Sequence, residues 1–231
     1  MFINKLFLAI VFSASLLTVK GQHTEFRPHA GVGTYSMSDL KGMMNESVSN
    51  SAFGLKTTEN FPAYAFYGLD IIQPIIPGFG LGFITDFYST GARNHYADYS
   101  GSYREDILVK SLNIGLLASS IDSLGWGFFF NIEVASGIKL SYISMEDELK
   151  LSNYQNANSY DFRSKGFWIE PTVRIGRKFF YNFSYAAFVG YELNLKSKMV
   201  LKENHDASST AKIDWSGMRT GISISYTLKN E

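Results

Sequence analysis

Along most of this 231-residue chain, apolar and polar residues alternate one for one. The pattern is clearest near the end, where every second residue from 222 to 228 is apolar or aromatic and the residues between are Ser or Thr. A period of two is the period of a β-strand, whose successive side chains point to opposite faces. A chain with this pattern folds into sheets that have one apolar and one polar face.

Eight alternating segments can be counted, and the connections between them alternate in length. The segments cover about residues 26–37, 63–71, 79–88, 111–118, 126–135, 167–176, 182–196 and 219–228. Short connections lie near Pro74–Gly78, Ile121–Gly125 and Lys178–Asn182, and long polar ones near Ser38–Asn60, Ala92–Ser102, Glu146–Tyr160 and Lys202–Ala211. This rhythm is typical of a barrel that spans a membrane with both termini at the short-turn end.

Residues 1–21 have the pattern of a secretory signal peptide, and residues 22–231 form one predicted domain. Lys5 supplies the positive start, an apolar stretch runs from Leu6 to Leu17, and small residues precede a cleavage site at Gln22. Beyond Gln22, no run approaches the roughly 18 apolar residues of a membrane-spanning helix. We therefore predict an exported chain with no transmembrane helix in its mature part.

A lipocalin-like barrel or a secreted sandwich would also give each strand one apolar and one polar face. A membrane is favoured because several segments alternate for ten or more residues, because the apolar face lacks charge at strand centres, and because aromatic residues flank the segments. The predicted aromatic girdles are Phe79, Trp126, Phe183 and Tyr226 at the short-turn end, and Phe61, Phe87, Tyr142 and Phe167 at the long-loop end. We predict an all-β fold, a transmembrane antiparallel up-and-down β-barrel of eight strands, in a bacterial outer membrane.

The final segment, from Arg219 to Tyr226, resembles the terminal recognition signal of bacterial outer-membrane proteins. That signal has a polar residue, a Gly two positions later, and then two hydrophobic or aromatic residues separated by one position, which here correspond to Gly221, Ile224 and Tyr226. The resemblance implies insertion by the barrel-assembly machinery. Thr227 to Glu231 continue past the aromatic residue at which many such proteins end.

The mature chain as a whole resembles small eight-stranded outer-membrane proteins with OmpA/OmpX-like architecture. Its start at Gln and its Tyr, Asn and Ser content are similar to outer-membrane β-barrel proteins of Bacteroidetes-type bacteria. Such proteins include structural proteins, adhesins and secretion accessories of the PorT type. The resemblance implies contact with outer-membrane lipid and lipopolysaccharide, and we expect a monomer.

The polar faces of the segments carry charges that would point into the lumen of the barrel. Eight strands leave an interior that side chains can fill, and an unpaired charge there is costly, so we expect acids and bases to pair and to close the lumen. A proton or ion path along these charges is the alternative. The predicted network comprises Asp86, Glu133, Lys139, Glu170, Arg174, Glu192 and Arg219, with Asp70 on the same face. The predicted inward aromatic residues are Tyr35, Tyr64, Phe66, Tyr88, Phe129, Trp168 and Phe188.

The outer connections carry two further candidate sites. Tyr96, Tyr99 and Tyr103 lie among small polar residues, a composition that favours surface recognition, although interfacial aromatic residues would look the same. The acidic run of residues 146–148 could hold Ca²⁺ or bridge lipopolysaccharide through divalent ions. Three adjacent acids do not supply the six or more oxygens that calcium needs, so a solvated loop is favoured.

Nothing in the sequence assigns a reaction, a cofactor or a metal. The chain has no cysteine, its four histidines are scattered, and its 21 basic residues balance 21 acidic ones, which argues against nucleic-acid binding. His205 and Asp206, with Ser208 and Ser209, offer a base, a carboxylate and hydroxyls, but a triad is defined by three-dimensional geometry. We predict a non-enzymatic barrel for envelope structure or surface binding, with a lipid A-modifying enzyme or a small transport or secretion-accessory barrel as alternatives.

Overall fold

The computed structural model describes residues 23–51, 54–202 and 208–229, so the predicted signal peptide lies outside the described part of the chain. Eleven strands and one helix make up this part. They are β1 (His23–Gly33), α1 (Ser38–Asn50), β2 (Lys56–Asn60), β3 (Tyr64–Ile76), β4 (Phe79–Asp98), β5 (Gly101–Gly125), β6 (Phe128–Leu151), β7 (Tyr154–Phe180), β8 (Phe183–Leu195), β9 (Ser197–Leu201), β10 (Ser208–Ile213) and β11 (Gly217–Lys229).

Eight of these strands form a closed antiparallel ring in the order β1-β3-β4-β5-β6-β7-β8-β11. The ring closes where β1 pairs with β11, with Phe26 opposite Tyr226 and Gly33 opposite Arg219. Closure leaves this ring without a free edge, so that its backbone groups are paired between strands, as a membrane requires. The predicted eight-stranded barrel is confirmed.

The short-turn end of the barrel carries three two-residue turns, at positions 77–78, 126–127 and 181–182, and both described ends of the chain. The turn predicted at Ile121–Gly125 is wrong in position, because β5 continues to Gly125 and Trp126 makes the turn with Gly127. Trp126 adopts a left-handed conformation with φ of 54°. Phe183 packs against Tyr226 at this end, with ring centroids 4.8 Å apart.

At the opposite, outer end the barrel wall is continued by two long hairpins. Strands β4 and β5 pair up to Asp98 and Gly101, and β6 and β7 pair up to Leu151 and Tyr154. The segments predicted as long polar loops at 92–102 and 146–160 are therefore mostly strand. Both faces of the strands are polar there, so the sequence lacks the alternation that reveals a strand. Together with β2, β9 and β10 they form what we call the outer sheet.

The helix α1 packs against β2, β4 and β10, where it lies between the two ends of the outer sheet. Its buried side chains are Leu40 and Met44, and the amide of Asn94 on β4 donates to the backbone oxygen of Met44 at 2.9 Å. Phe61 is buried in the same apolar cluster, with 2% of its surface exposed, so its placement in a lipid-facing girdle is wrong. At 13 residues, α1 is too short and too polar to cross a membrane, and the described residues contain no helix that could.

The outer wall of the ring is apolar over a height that matches a bilayer. On β7, Lys165 and Arg177 are exposed at either end, and the outward residues between them are Phe167, Ile169, Pro171, Val173 and Ile175. At about 3.3 Å per residue and a strand tilt of about 40°, this interval spans roughly 30 Å, close to the thickness of a hydrocarbon core. The apolar face of the barrel therefore faces lipid.

Candidate functional site

The lumen holds a first ion cluster formed by Arg27 on β1, Asp70 on β3, Glu133 on β6 and Arg174 on β7. Arg27 contacts both acids, with Nε 2.8 Å from Asp70 Oδ2 and Nη1 2.7 Å from Glu133 Oε1. Arg174 Nη2 lies 3.2 Å from Glu133 Oε2. All four side chains are almost completely buried. Two cations and two anions thus neutralise one another across the barrel.

Two hydroxyl groups add hydrogen bonds to this first cluster. The Ser119 hydroxyl on β5 donates to Glu133 Oε1 at 3.1 Å, and Arg174 Nη1 donates to the Ser223 hydroxyl on β11 at 2.6 Å. The cluster therefore links side chains from six of the eight ring strands. Ion pairs and hydrogen bonds that connect buried side chains in this way rigidify the core that contains them.

A second ion cluster lies nearer the outer end and is centred on Glu192 of β8. Lys139 Nζ lies 2.6 Å from Glu192 Oε1, and Arg219 Nη2 lies 3.2 Å from Glu192 Oε2. The Asn113 amide donates to the same Oε2 at 3.2 Å. One carboxylate therefore serves two cations, and the excess positive charge faces aromatic rings.

Three aromatic side chains surround these two cations. Lys139 Nζ is 4.4 Å from the centre of the Tyr88 ring and 4.9 Å from that of Trp215, while the Arg219 guanidinium is 4.9 Å from Tyr35. Cations at this distance from a ring face are attracted by its electron density. The Trp215 indole also donates to the Ser141 hydroxyl at 2.9 Å. Aromatic rings and paired charges together fill this level of the lumen.

Between the two clusters lies a layer that contains His29, Asp86 and Glu170. His29 Nε2 is 2.6 Å from Asp86 Oδ1, whereas Glu170 has no cation within 4.0 Å among the residues that the structure describes. The Thr172 hydroxyl donates to Glu170 Oε1 at 3.2 Å. A cavity of about 20 Å³ in this layer could hold one water molecule.

Two facing glycines make room for the rings in this layer. Gly31 on β1 lies opposite Gly221 on β11. A methyl group on either would meet the partner strand's backbone and the ring of Phe66 or Phe188. Gly221 thus has a packing role in the barrel, and its role in the predicted assembly signal, with the outward-facing Ile224 and Tyr226, stays a prediction.

The seven charged residues predicted for the lumen are all buried on its inward face. The expected pairings were wrong for Asp86, which pairs with His29, and for Glu170, which pairs with no described cation. Tyr64 was also misplaced, because 54% of its surface is exposed. The sequence analysis missed Arg27 because the alternation in β1 is weak. Arg27 lies two positions before His29, so the two side chains share the inward face of the strand.

The three tyrosines of the outer hairpin stand near its tip. Tyr99 occupies the turn and is fully exposed, and Tyr96 lies opposite Tyr103 across β4 and β5. The Tyr96 hydroxyl donates to Asp98 at 2.7 Å, and the Ser100 hydroxyl donates to the same carboxylate at 2.6 Å. These hydrogen bonds, led by that of Ser100, lower the pKa of Asp98 to about 2. The tip is thus an ordered structure that carries a stable negative charge.

The acidic run on β6 does not converge on one point. Glu148 pairs with Lys150 at 2.7 Å, and Asp147 accepts from the Asn158 amide at 2.8 Å. Adjacent residues of a strand point to opposite faces, so the three acids of residues 146–148 cannot surround one ion. Among the described residues, no group of three or more His, Cys, Asp or Glu side chains could hold a metal.

The histidines considered as candidates for catalysis do not lie together. His29 is buried in the lumen, and His95 is exposed on β4 opposite Lys56. His205 and Asp206 lie outside the described residues. The described part of the chain therefore brings no histidine to an open site with a carboxylate and a hydroxyl.

A closed eight-stranded ring with an apolar outer wall and a charged lumen defines the class of this chain by its architecture, a small membrane-spanning β-barrel with the fold of OmpA/OmpX-like outer-membrane proteins. The outer membrane protein OprG from Pseudomonas aeruginosa is similar in structure, with a TM-score of 0.50 and 11% sequence identity over 91% of this chain and 98% of that chain. This similarity shows a shared fold.

The solved structures that match with lower scores include two further bacterial outer-membrane proteins. A major outer membrane protein from Thermus thermophilus has a TM-score of 0.39 and 12% identity over 89% of this chain and 99% of that chain. Neisserial surface protein A has a TM-score of 0.35 and 11% identity over 90% of this chain and 96% of that chain. No protein-family model and no curated protein matches the sequence.

Proposed function

We propose that this protein is a non-enzymatic outer-membrane barrel whose lumen is closed to solutes and whose main role is structural support of the envelope. The observation that carries the proposal is the filling of the lumen by two ion clusters, with Glu133 and Glu192 at their centres. A solute could cross only by separating these ion pairs. The interior is too small to admit the water that would solvate the separated charges, so the cost would be high.

The layer between the clusters supports the same conclusion. Its cavity of about 20 Å³ has room for a water molecule but not for a hydrated ion, and Phe66 and Phe188 line it. A proton could still move between His29, Asp86 and Glu170, but transport would require a continuous path through both clusters. Closure to solutes therefore follows from the packing at three successive levels.

The outer hairpins favour a second function, surface binding. Strands β4 to β7 are paired to their tips, so they hold Tyr96, Tyr99 and Tyr103 on a rigid support. Tyrosines on rigid elements offer large contact area at a low cost in conformational entropy. We propose this hairpin tip as the recognition surface, on a monomer that the barrel-assembly machinery inserts through β11.

Planar-bilayer recording tests closure of the lumen. We expect the purified, folded protein to give no discrete conductance steps, and a heat-modifiability gel of the same sample should show the folded barrel by its altered migration before boiling. Conductance steps of porin size from a sample that passes this gel would contradict the proposal.

A deletion strain separates the structural role from the alternatives. We expect the deletion to increase sensitivity to detergent. Both the wild-type gene and a gene for the Y96S/Y99S/Y103S variant should restore resistance, because support of the envelope does not need the hairpin tip. Lipid A from the deletion strain should have an unchanged mass spectrum. A lost or altered lipid A modification would contradict the non-enzymatic assignment. If the wild-type gene restored detergent resistance and the tyrosine variant did not, surface binding would be the main role.

A further inference from the structure

A group of basic side chains lies on the outward face of the barrel, at the outer boundary of its apolar wall. Its members are exposed and come from β5, β7, β9 and β10. We call this group the basic band, and it consists of Lys110, Arg163, Lys165, Lys198 and Lys212.

Strand register brings these residues together. Lys110 lies opposite Tyr142, and Tyr142 lies opposite Arg163, so Lys110 and Arg163 are two strands apart, or about 10 Å. Arg163 lies opposite Val200 on β9. Lys165 is two positions after Arg163, and Lys198 is two positions before Val200. In antiparallel strands these steps run in the same direction, so Lys165 and Lys198 lie side by side on the outward face.

The band continues onto β10, where Lys212 lies directly opposite Lys198. Like charges in directly opposed positions of a sheet repel each other and destabilise the pairing. Both side chains are exposed, so the repulsion would be relieved by an anion that contacts both.

Two acidic side chains near the band leave its side-chain cations uncompensated. Asp161 lies 3.4 Å from Lys202, and Asp39 accepts a hydrogen bond from the backbone nitrogen of Lys212 at 3.0 Å. Within residues 23–51, 54–202 and 208–229, none of the five cations of the basic band has a carboxylate within 4.0 Å. The band thus presents net positive charge.

The position of the band fixes which anion it can meet. Leu112 and Leu140 face outward beside Lys165, and Phe167 follows one row deeper. Acyl chains must cover these apolar residues, so the cations stand at the depth where lipid headgroups begin, in the leaflet at the end opposite the short turns.

We propose that the basic band binds the phosphate groups of a phosphorylated glycolipid of the lipid A type in the outer leaflet. The cations of Arg163, Lys165 and Lys198 contact phosphate oxygens, and the apolar rows beneath them hold the acyl chains. The band therefore selects a lipid that carries phosphate. This inference depends on the membrane location of the barrel and is independent of whether its lumen is closed.

Native mass spectrometry of the protein in detergent tests the proposal. The probes are a phosphorylated lipid A and the same lipid A after removal of its phosphate groups. The test variant is R163Q/K165Q/K198Q, and the matched control is K56Q/K150Q/K178Q, which removes three exposed cations away from the band. A heat-modifiability gel establishes that both variants are folded.

We expect the wild type and the control to retain phosphorylated lipid A at least about tenfold better than the dephosphorylated form, and the test variant to lose this preference. Equal retention of the two lipids by the wild type would overturn the proposal. So would equal losses in the test and control variants, since general charge attraction would then account for binding. If the test variant does not fold, the single substitution K198Q is measured against K56Q in the same way, with a smaller loss expected.

Discussion

Arg27 and Glu133, 106 positions apart in the sequence, form a two-pronged ion pair across the lumen, with Nη1 2.7 Å from Oε1 and Nη2 3.0 Å from Oε2. The ion pair connects β1, which carries Arg27, to β6, which carries Glu133. Both side chains are buried, so each is the main compensation for the other's loss of water.

Replacing Arg27 with Met should destabilise the barrel by about 3–5 kcal/mol, because Glu133 would then lose one of its two arginines and Asp70 would keep only weaker contacts, with Arg174 at 4.0 Å and with the imidazole of His29 at 3.5 Å. The double variant R27M/E133L should recover more than half of this loss, since Asp70 and Arg174 remain as a balanced pair. Urea unfolding in detergent micelles, followed by tryptophan fluorescence, measures both. A double variant less stable than R27M would show that the pair is not the source of the effect.

Removal of the charge should affect the stability of the barrel far less at Glu170 than at Glu192. E192Q leaves Lys139 and Arg219 without their shared carboxylate and should cost about 3–5 kcal/mol. E170Q removes a carboxyl group that has no described cation within 4.0 Å, so the free energy of unfolding should change by less than about 1 kcal/mol or increase. The same unfolding assay compares the two variants, and an E170Q variant as unstable as E192Q would contradict the assigned pairing.

The helix α1 should detach from the outer sheet when a charge is placed on its buried side. Met44 is completely buried and Met43 on the same helix is 37% exposed, so M44D should expose residues 34–63 to trypsin or other proteases while M43D should not. The barrel itself should keep its heat-modifiability in both variants, because its ring does not include α1. Equal protection of the segment from proteases in the two variants would show that burial of Met44 is not needed to hold α1 against the outer sheet.

Asp98 at the hairpin tip should titrate well below an ordinary aspartate. Its pKa is lowered to about 2 by hydrogen bonds from Ser100 and Tyr96, whereas an unfolded aspartate has a pKa of about 3.9. Because the folded pKa is the lower one, the stabilisation that these hydrogen bonds give the tip is fully present above about pH 4 and is lost as the pH falls through 2. Carboxyl ¹³C chemical shifts measure the titration, and Y96F should raise the pKa; an unshifted midpoint near 3.9 in the wild type would contradict these hydrogen bonds.

The alternation of the sequence predicted the strand number and the inward charges, because lipid and lumen impose a different polarity on each face. It could not predict the long outer hairpins, where water surrounds both faces, or the burial of Phe61 beneath α1. It also could not predict that Glu133 meets Arg27 while Glu170 has no cation within 4.0 Å in the part of the chain that the structure describes. Which acid meets which base depends on the stagger of strands around the ring, and no local pattern records that stagger.

Single cysteines at Asn113 and Ile114, adjacent on β5, test the central claim most directly, because the chain has no cysteine of its own. Ile114 is exposed on the apolar wall and Asn113 is buried beside Glu192. In the folded, reconstituted protein, a lipid-soluble maleimide should label I114C, while N113C should react with neither this reagent nor a water-soluble one until the protein is unfolded. Labelling of N113C by the lipid-soluble reagent, with I114C reactive only from water, would contradict a barrel whose apolar face meets lipid.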